Sequence, residues 1–185
     1  MTAVEAGTRP RAALSGAAVA GTTGGVDVHG TLAALFRLAG ARHRFIAHAP
    51  QGRTDLASSL RGHGLRQAAK SIVLRVAYGK RKRRYVLAVV AGDRRVDLAA
   101  VADLMGGTEA SFAVRDVAEE LTGSVSGSIA PFALCSTELE VLVDEELTTL
   151  DTIYFNTGRL DMSVELAVSD YLELARPAVA AIAQR

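Results

Sequence analysis

Ser71-Ile-Val-Leu-Arg-Val-Ala77 and Tyr85-Val-Leu-Ala-Val-Val-Ala91, separated by Tyr78-Gly-Lys-Arg-Lys-Arg-Arg84, are the stretch on which the fold turns. Both runs are apolar and rich in β-branched residues, which suit a pleated, buried surface. The link between them carries a glycine and a block of cations, which favour a solvated turn. The stretch predicts a β-hairpin with an intensely basic tip.

Upstream of the hairpin, Leu32, Leu35, Phe36 and Leu38 fall close to helical spacing and Gly40 offers a left-handed stop, so a helix is expected from about His29. Arg44 to Ala47 predicts a short strand, and His48-Ala-Pro-Gln-Gly-Arg-Thr54 carries the Pro and Gly that punctuate regular structure. Thr54 is placed as the N-cap of a helix over Asp55–Arg61, closed by Gly62 and Gly64. Downstream, helices are expected over Val96–Met105 and Val114–Leu121, the second closed by Gly123. Strands follow at Leu139–Val143, Ile153–Asn156 and Met162–Leu166, and a helix from about Ser169 to Leu174 is expected to capture the C-terminus. Strands and helices alternate irregularly with short links. The fold class is therefore α/β of the α+β type: one domain, residues 29–185, with a mixed, mostly antiparallel sheet and flanking helices.

A chain of 185 residues that is 49% hydrophobic has enough apolar surface for a single core. Its net charge of +1 excludes nonspecific whole-protein attraction to nucleic acid, so any RNA contact is a local patch. Cys135 has no partner for an intramolecular disulfide and no Cys/His spacing closes a metal site, so a reducing cytoplasm, a packed Cys135 thiol and no metal are expected. Residues 1–28 read as a disordered leader. The small-residue run Ala13–Thr23 is broken by Ser15, Gly16 and Gly21 and is far too short and weak to span a membrane. His29, His43, His48 and His63 all lie in the N-terminal third without a local catalytic signature, which disfavours a Ser-His-Asp hydrolase.

Three stretches taken together resemble the YbaK family, also called the prolyl-tRNA-synthetase-associated editing domain. They are Ala69-Lys70-Ser71-Ile72-Val73-Leu74, the segment from Leu121 to Leu134 containing Gly127-Ser-Ile-Ala-Pro131, and Leu142-Val-Asp-Glu-Glu-Leu147 followed by Thr152-Ile-Tyr-Phe-Asn-Thr-Gly158. Gly127 to Pro131 is similar to the family's Gly-x-x-x-Pro signature, and the resemblance covers roughly residues 30 to 176. It implies a strongly curved sheet, a pocket between sheet and helices, no cofactor, and a free-standing trans-editing hydrolase that deacylates mischarged tRNA. The expected ester is a small amino acid such as Ala or Cys on tRNA for proline. The partner is the aminoacylated 3′ end of tRNA, with a synthetase as a further partner left open.

Within that resemblance Lys70 is expected to supply a fixed cation to the oxyanion, and Gly127 a backbone donor where no Cβ blocks approach. Substrate contacts are expected from Ser128, Ile129, Ala130, Pro131, His48, Thr54, Asn156, Gly158 and Ser163. His48-Ala-Pro50 and Thr54 look like the early His-x-Pro and Thr elements of the alanine-editing and related branches, and they resemble several branches without choosing one. The Cys-tRNA branch carries an acid in the late strand where this sequence has Ser163. The basic tip, Lys80, Arg81, Lys82, Arg83 and Arg84, is expected to meet the tRNA backbone. The alternative reading keeps the fold as a noncatalytic or biosynthetic aminoacyl-tRNA-binding domain.

Overall fold

The computed structural model describes residues 26–185. Chain order is α1 (Val28–Ala39), β1 (His43–Ala47), α2 (Thr54–Arg61), a single 3₁₀ turn, β2 (Ala69–Tyr78), β3 (Lys82–Ala91) and α3 (Leu98–Leu104). Then follow β4 (Glu109–Phe112), α4 (Arg115–Thr122), β5 (Glu140–Asp144), α5 (Glu145–Thr148), β6 (Thr152–Asn156), β7 (Met162–Ala167), α6 (Val168–Ala175) and β8 (Ala178–Ala180).

The hairpin is the centre of the molecule. β2 and β3 pair antiparallel from Ala69↔Ala91 to Tyr78↔Lys82, and β4 joins the free edge of β2 antiparallel. β5 and then β8 add in parallel beyond β3, giving a five-stranded mixed sheet in the order β4-β2-β3-β5-β8. Every residue of β3 from Val86 to Ala91 is buried, as its unbroken apolar run requires of a strand covered on both faces. Leu87, Val89 and Ala91 enter the main core with α1, α6 and the second sheet, whereas Val86, Ala88 and Val90 enter a smaller core under α3. The second sheet, β1-β7-β6, is wholly antiparallel and meets the first at the parallel bridge Ala68↔Tyr154. The mixed sheet expected from the sequence is thus divided in two, with the main core between the halves.

Several local expectations are corrected. Thr54 is the first residue of α2 rather than its cap, since Arg53 holds the extended cap position without a side-chain hydrogen bond. The five cations do not share one loop. Only Gly79, Lys80 and Arg81 separate the strands, and Lys82, Arg83 and Arg84 belong to β3, where alternation sends neighbours to opposite faces. Lys82 and Arg84 each lie 5.7 Å from the centroid of the Tyr78 ring. The C-terminus is held by the sheet and not by α6: β8 pairs with β5, and the buried Asp144 carboxylate accepts the N–H groups of Ile182 and Ala183, both at 2.9 Å. Of the expected leader, residues 1–25 lie outside the described residues. Val28, assigned to it by sequence, is buried in the core, and Asp27 caps α1 through its carboxylate and Gly30 N–H.

Among the described residues no helix is long and apolar enough to cross a membrane, and no group of three or more His, Cys, Asp or Glu side chains could hold a metal.

Candidate active site

Where the two sheets meet they leave a cavity of about 210 Å³, walled by α2, the start of β2, the end of β6, the Gly127 turn and the loop before α2. The turn and the loop touch through glycine. Gly127 has φ +90°, and a Cβ there would stand 2.8 Å from Gly52 Cα and 2.9 Å from its carbonyl oxygen. Only a residue without a side chain permits both that backbone angle and that approach. The loop is held from its other side, because His48 N–H donates to Asp161 O and Gln51 N–H to Leu160 O.

Asn156, at the end of β6, ties these parts together. Its Nδ2 donates to Gln51 O at 3.1 Å and to Gly127 O at 2.9 Å, so one buried amide clamps loop and turn. Its Oδ1 accepts from Ser163 Oγ at 2.7 Å and from Arg61 Nη2 at 2.5 Å. Ser163 Oγ lies in turn 2.6 Å from His48 Nε2. His48, Ser163, Asn156 and Arg61 therefore form one continuous polar chain behind and along the cavity.

Of the residues expected at the site, Lys70, Gly127, Ile129, Thr54 and Asn156 line the cavity. His48 and Ser163 stand behind it and reach it only through Asn156. Ala130 and Pro131 are buried away from it, Ala130 in the main core. Ser128 is fully buried and donates its hydroxyl and its N–H to Val125 O, both at 2.9 Å. Contrary to the expected substrate contact, Ser128 therefore has neither group free for a ligand, whereas the N–H groups of Gly127 and Ile129 have no protein acceptor among the described residues. Gly158 is also not a cavity residue. It braces the turn, donating its N–H to Ser128 O at 2.9 Å, and a Cβ there would meet Val28 Cβ at 2.6 Å.

Lys70 borders both this cavity and a shallower groove edged by Ile72, Arg95 and Phe112. Its ammonium donates to Gly92 O at 3.3 Å and to Arg94 O, and burial lowers its pKa. Two of its three N–H bonds are committed to the turn after β3, which fixes the charge in place. Arg61, Ser71, Tyr154, Ala57 and Gly52 also line the cavity without having been singled out by sequence. Arg61 falls in the last turn of α2, where a basic residue reads as an ordinary partner of the helix dipole. His63 stacks on Tyr154 with ring centroids 3.8 Å apart, and burial lowers its pKa.

The family model for the aminoacyl-tRNA editing domain matches residues 50–174, which takes in all of these cavity walls. The chain belongs to the aminoacyl-tRNA editing domain family. An editing domain removes an amino acid from tRNA, so the hydrolase expected from the sequence is an aminoacyl-tRNA deacylase. This editing domain is 39% identical over 154 residues to the multifunctional Ser/Thr-tRNA deacylase ProXp-y of Escherichia coli K12, covering 83% of the chain and 91% of that protein; the O157:H7 protein matches equally. Two solved structures share the fold. The hypothetical protein APE2540 has a TM-score of 0.74 at 20% identity over 83% of this chain and 99% of its own. A candidate trans-editing enzyme for prolyl tRNA synthetase has a TM-score of 0.71 at 22% identity over 86% of this chain and 99% of its own.

Proposed function

We propose that this deacylase acts in trans on tRNA mischarged with Ser or Thr. The observation that carries the reading is the polar wall of its small cavity: Thr54, Ser71 and Arg61 offer hydroxyl and guanidinium groups to whatever side chain enters. A site built to hydrogen-bond a substrate hydroxyl rejects analogues lacking it by roughly 10⁴-fold, because its buried polar groups are then left unpaired, whereas an apolar pocket separates substrates by only about 1–3 kcal/mol per methylene. Ala and Cys, the esters expected from the family resemblance, fit by size but leave those groups without partners. The 39% identity to a Ser/Thr-tRNA deacylase supports the same class, and that relative consists of little beyond the matched domain, which supports action without a covalently attached synthetase.

In this mechanism the ester carbonyl sits at the Gly127 turn, whose free N–H groups and the nearby fixed cations stabilise the oxygen as it becomes negative. Water adds to the carbonyl carbon as the C=O pair moves onto oxygen. When that pair returns, the bond to the ribose oxygen breaks, that oxygen takes one proton of the attacking water, and the amino acid leaves as its carboxylate with the other proton lost to solvent.

Single-turnover deacylation of tRNA carrying Ser, Thr, Ala or Cys, with no second acceptor present, tests the reading. Ser and Thr esters are expected to react at least about tenfold faster than Ala or Cys, a modest fraction of what unpaired polar groups permit. Faster hydrolysis of Ala or Cys would overturn the substrate class. Binding without hydrolysis of any ester would favour the biosynthetic or noncatalytic alternative.

The basic hairpin gives a second expected result. From Lys70 to Tyr78 the strand rise of roughly 3.3 Å per residue puts the tip about 26 Å from the cavity, a distance at which it meets tRNA away from the reacting end. Lys80, Arg81 and Arg83 make no ion pair among the described residues, whereas Arg84 lies 3.6 Å from Glu140. Replacing those three by Gln is expected to weaken tRNA binding and to flatten its log–log salt dependence by about 0.9 for each phosphate no longer neutralised. The unfolding midpoint should stay put. An unchanged salt slope would remove the hairpin from the tRNA interface.

A further inference from the structure

Arg61 is a half-buried cation with no carboxylate partner among the described residues. A guanidinium has five N–H bonds. Only one of these is used, from Nη2 to the neutral oxygen of Asn156, while Nε is buried without any acceptor. Burial pushes the Arg61 pKa down to about 10, which still leaves the group charged at neutral pH. A partly desolvated charge of this kind is costly unless something anionic or strongly dipolar completes it.

The surroundings say what that partner is. Arg61 lines the cavity, and the amide it grips is the one that holds Gly127 O. The guanidinium and the turn bearing free N–H groups are therefore bound to opposite ends of a single side chain, beside one small space. The substrate's α-ammonium is repelled by such a cation, whereas the ester oxygen that gains a negative charge is attracted to it. Lys70, by contrast, has already committed two N–H bonds to protein carbonyls.

We propose that Arg61 is a catalytic residue of this deacylase, its guanidinium and the Gly127 N–H together holding the oxygen that becomes the oxyanion. The assignment rests on the deacylase reading but not on which amino acid is removed. In it, Asn156 is a positioning residue that orients the guanidinium fork without touching the reacting atoms.

The test uses the full chain and two adenosine analogues: a 3′-aminoalkylphosphonate, whose tetrahedral anionic phosphorus imitates the intermediate, and a 3′-aminoacylamide, neutral at the carbonyl. Arg61→Gln is expected to weaken the phosphonate by about 100-fold or more, the usual loss for one oxyanion donor, and to lower kcat by a similar factor. Amide affinity should change less than about threefold if binding of the ground state does not use the charge. Arg61→Lys, which keeps the charge but not the fork, should fall between. Equal weakening of both analogues by Arg61→Gln would mean a structural role and overturn the assignment. Unchanged affinity for both analogues, which lack the 5′-phosphate, combined with weaker binding of intact tRNA would make Arg61 a reader of the tRNA backbone and also overturn it. A wild-type chain that binds the amide and hydrolyses no ester would instead sink the deacylase reading itself.

Discussion

Gly127→Val is expected to lower the single-turnover deacylation rate by about 10³-fold or more, for reasons that accumulate in one place. The backbone angle of +90° lies in a region that a β-branched residue avoids, and holding such a residue there costs about 1–3 kcal/mol. The new Cβ would also meet backbone, at 2.8 Å from Gly52 Cα and 2.9 Å from Gly52 O, so relief requires the loop or the turn to move. Either movement breaks the clamp made by Asn156 on Gln51 O and Gly127 O. A displacement of about 1 Å can cost 10²-fold in rate, and loss of one oxyanion donor another 10²–10³. The strain falls on an exposed turn outside both cores, so the variant should still unfold cooperatively with a lowered midpoint. Ser128→Ala is the control. Its hydroxyl bonds only Val125 O, and its loss should leave the rate within a few-fold. A Gly127→Val enzyme retaining more than a tenth of the wild-type rate would show that the turn does not face the reacting ester.

Gly127 was legible in the sequence because a signature made of glycine and proline describes a backbone shape, and shape is what the turn contributes. The hairpin was legible for a similar reason, since a long β-branched run has few other uses than a buried strand. What escaped were elements too short to show a period. Glu109–Phe112 places Glu and Ser in a four-residue edge strand, and Ala178–Ala180 follows a proline, yet both are recruited by the open edges of β2 and β5. The basic tip was overestimated because charge alone does not reveal where a turn ends. Lys82 and Arg84 extend the strand by packing over Tyr78 instead.

At the site, the residues missed were those whose function depends on who stands opposite. Arg61 ends a helix and Ser71 sits inside a strand, each an unremarkable choice in its own element. They become cavity residues only because the bridge Ala68↔Tyr154 brings the second sheet against the first. Ser163 shows the complementary case. Sequence placed it correctly on the late strand, but alternation turns it to Asn156, so it acts through that amide and not on the ester directly.

Asn156→Asp should cost about 10²-fold or more in kcat, and how that loss combines with Arg61→Gln tests the site as a unit. The replacement keeps the size and one accepting oxygen, so Ser163 and Arg61 retain their partner. The atom that donated to Gln51 O at 3.1 Å and Gly127 O at 2.9 Å becomes an oxygen, turning two hydrogen bonds into two repulsive contacts inside a buried site. The new carboxylate also supplies Arg61 with the counter-ion it lacks. A guanidinium paired to a fixed carboxylate has less of its charge to offer a developing oxyanion, so chemistry should suffer more than binding. If Asn156 acts by holding Arg61 and Gly127 around one oxygen, the two substitutions damage the same interaction and their effects fall short of multiplying. Asn156→Asp should then cost less than about tenfold in an Arg61→Gln background, as residues that act as a unit are non-additive. Losses that multiply in full would show that Arg61 and Asn156 contribute separately, leaving the Gly127 turn as the oxyanion donor and the guanidinium with a different ligand.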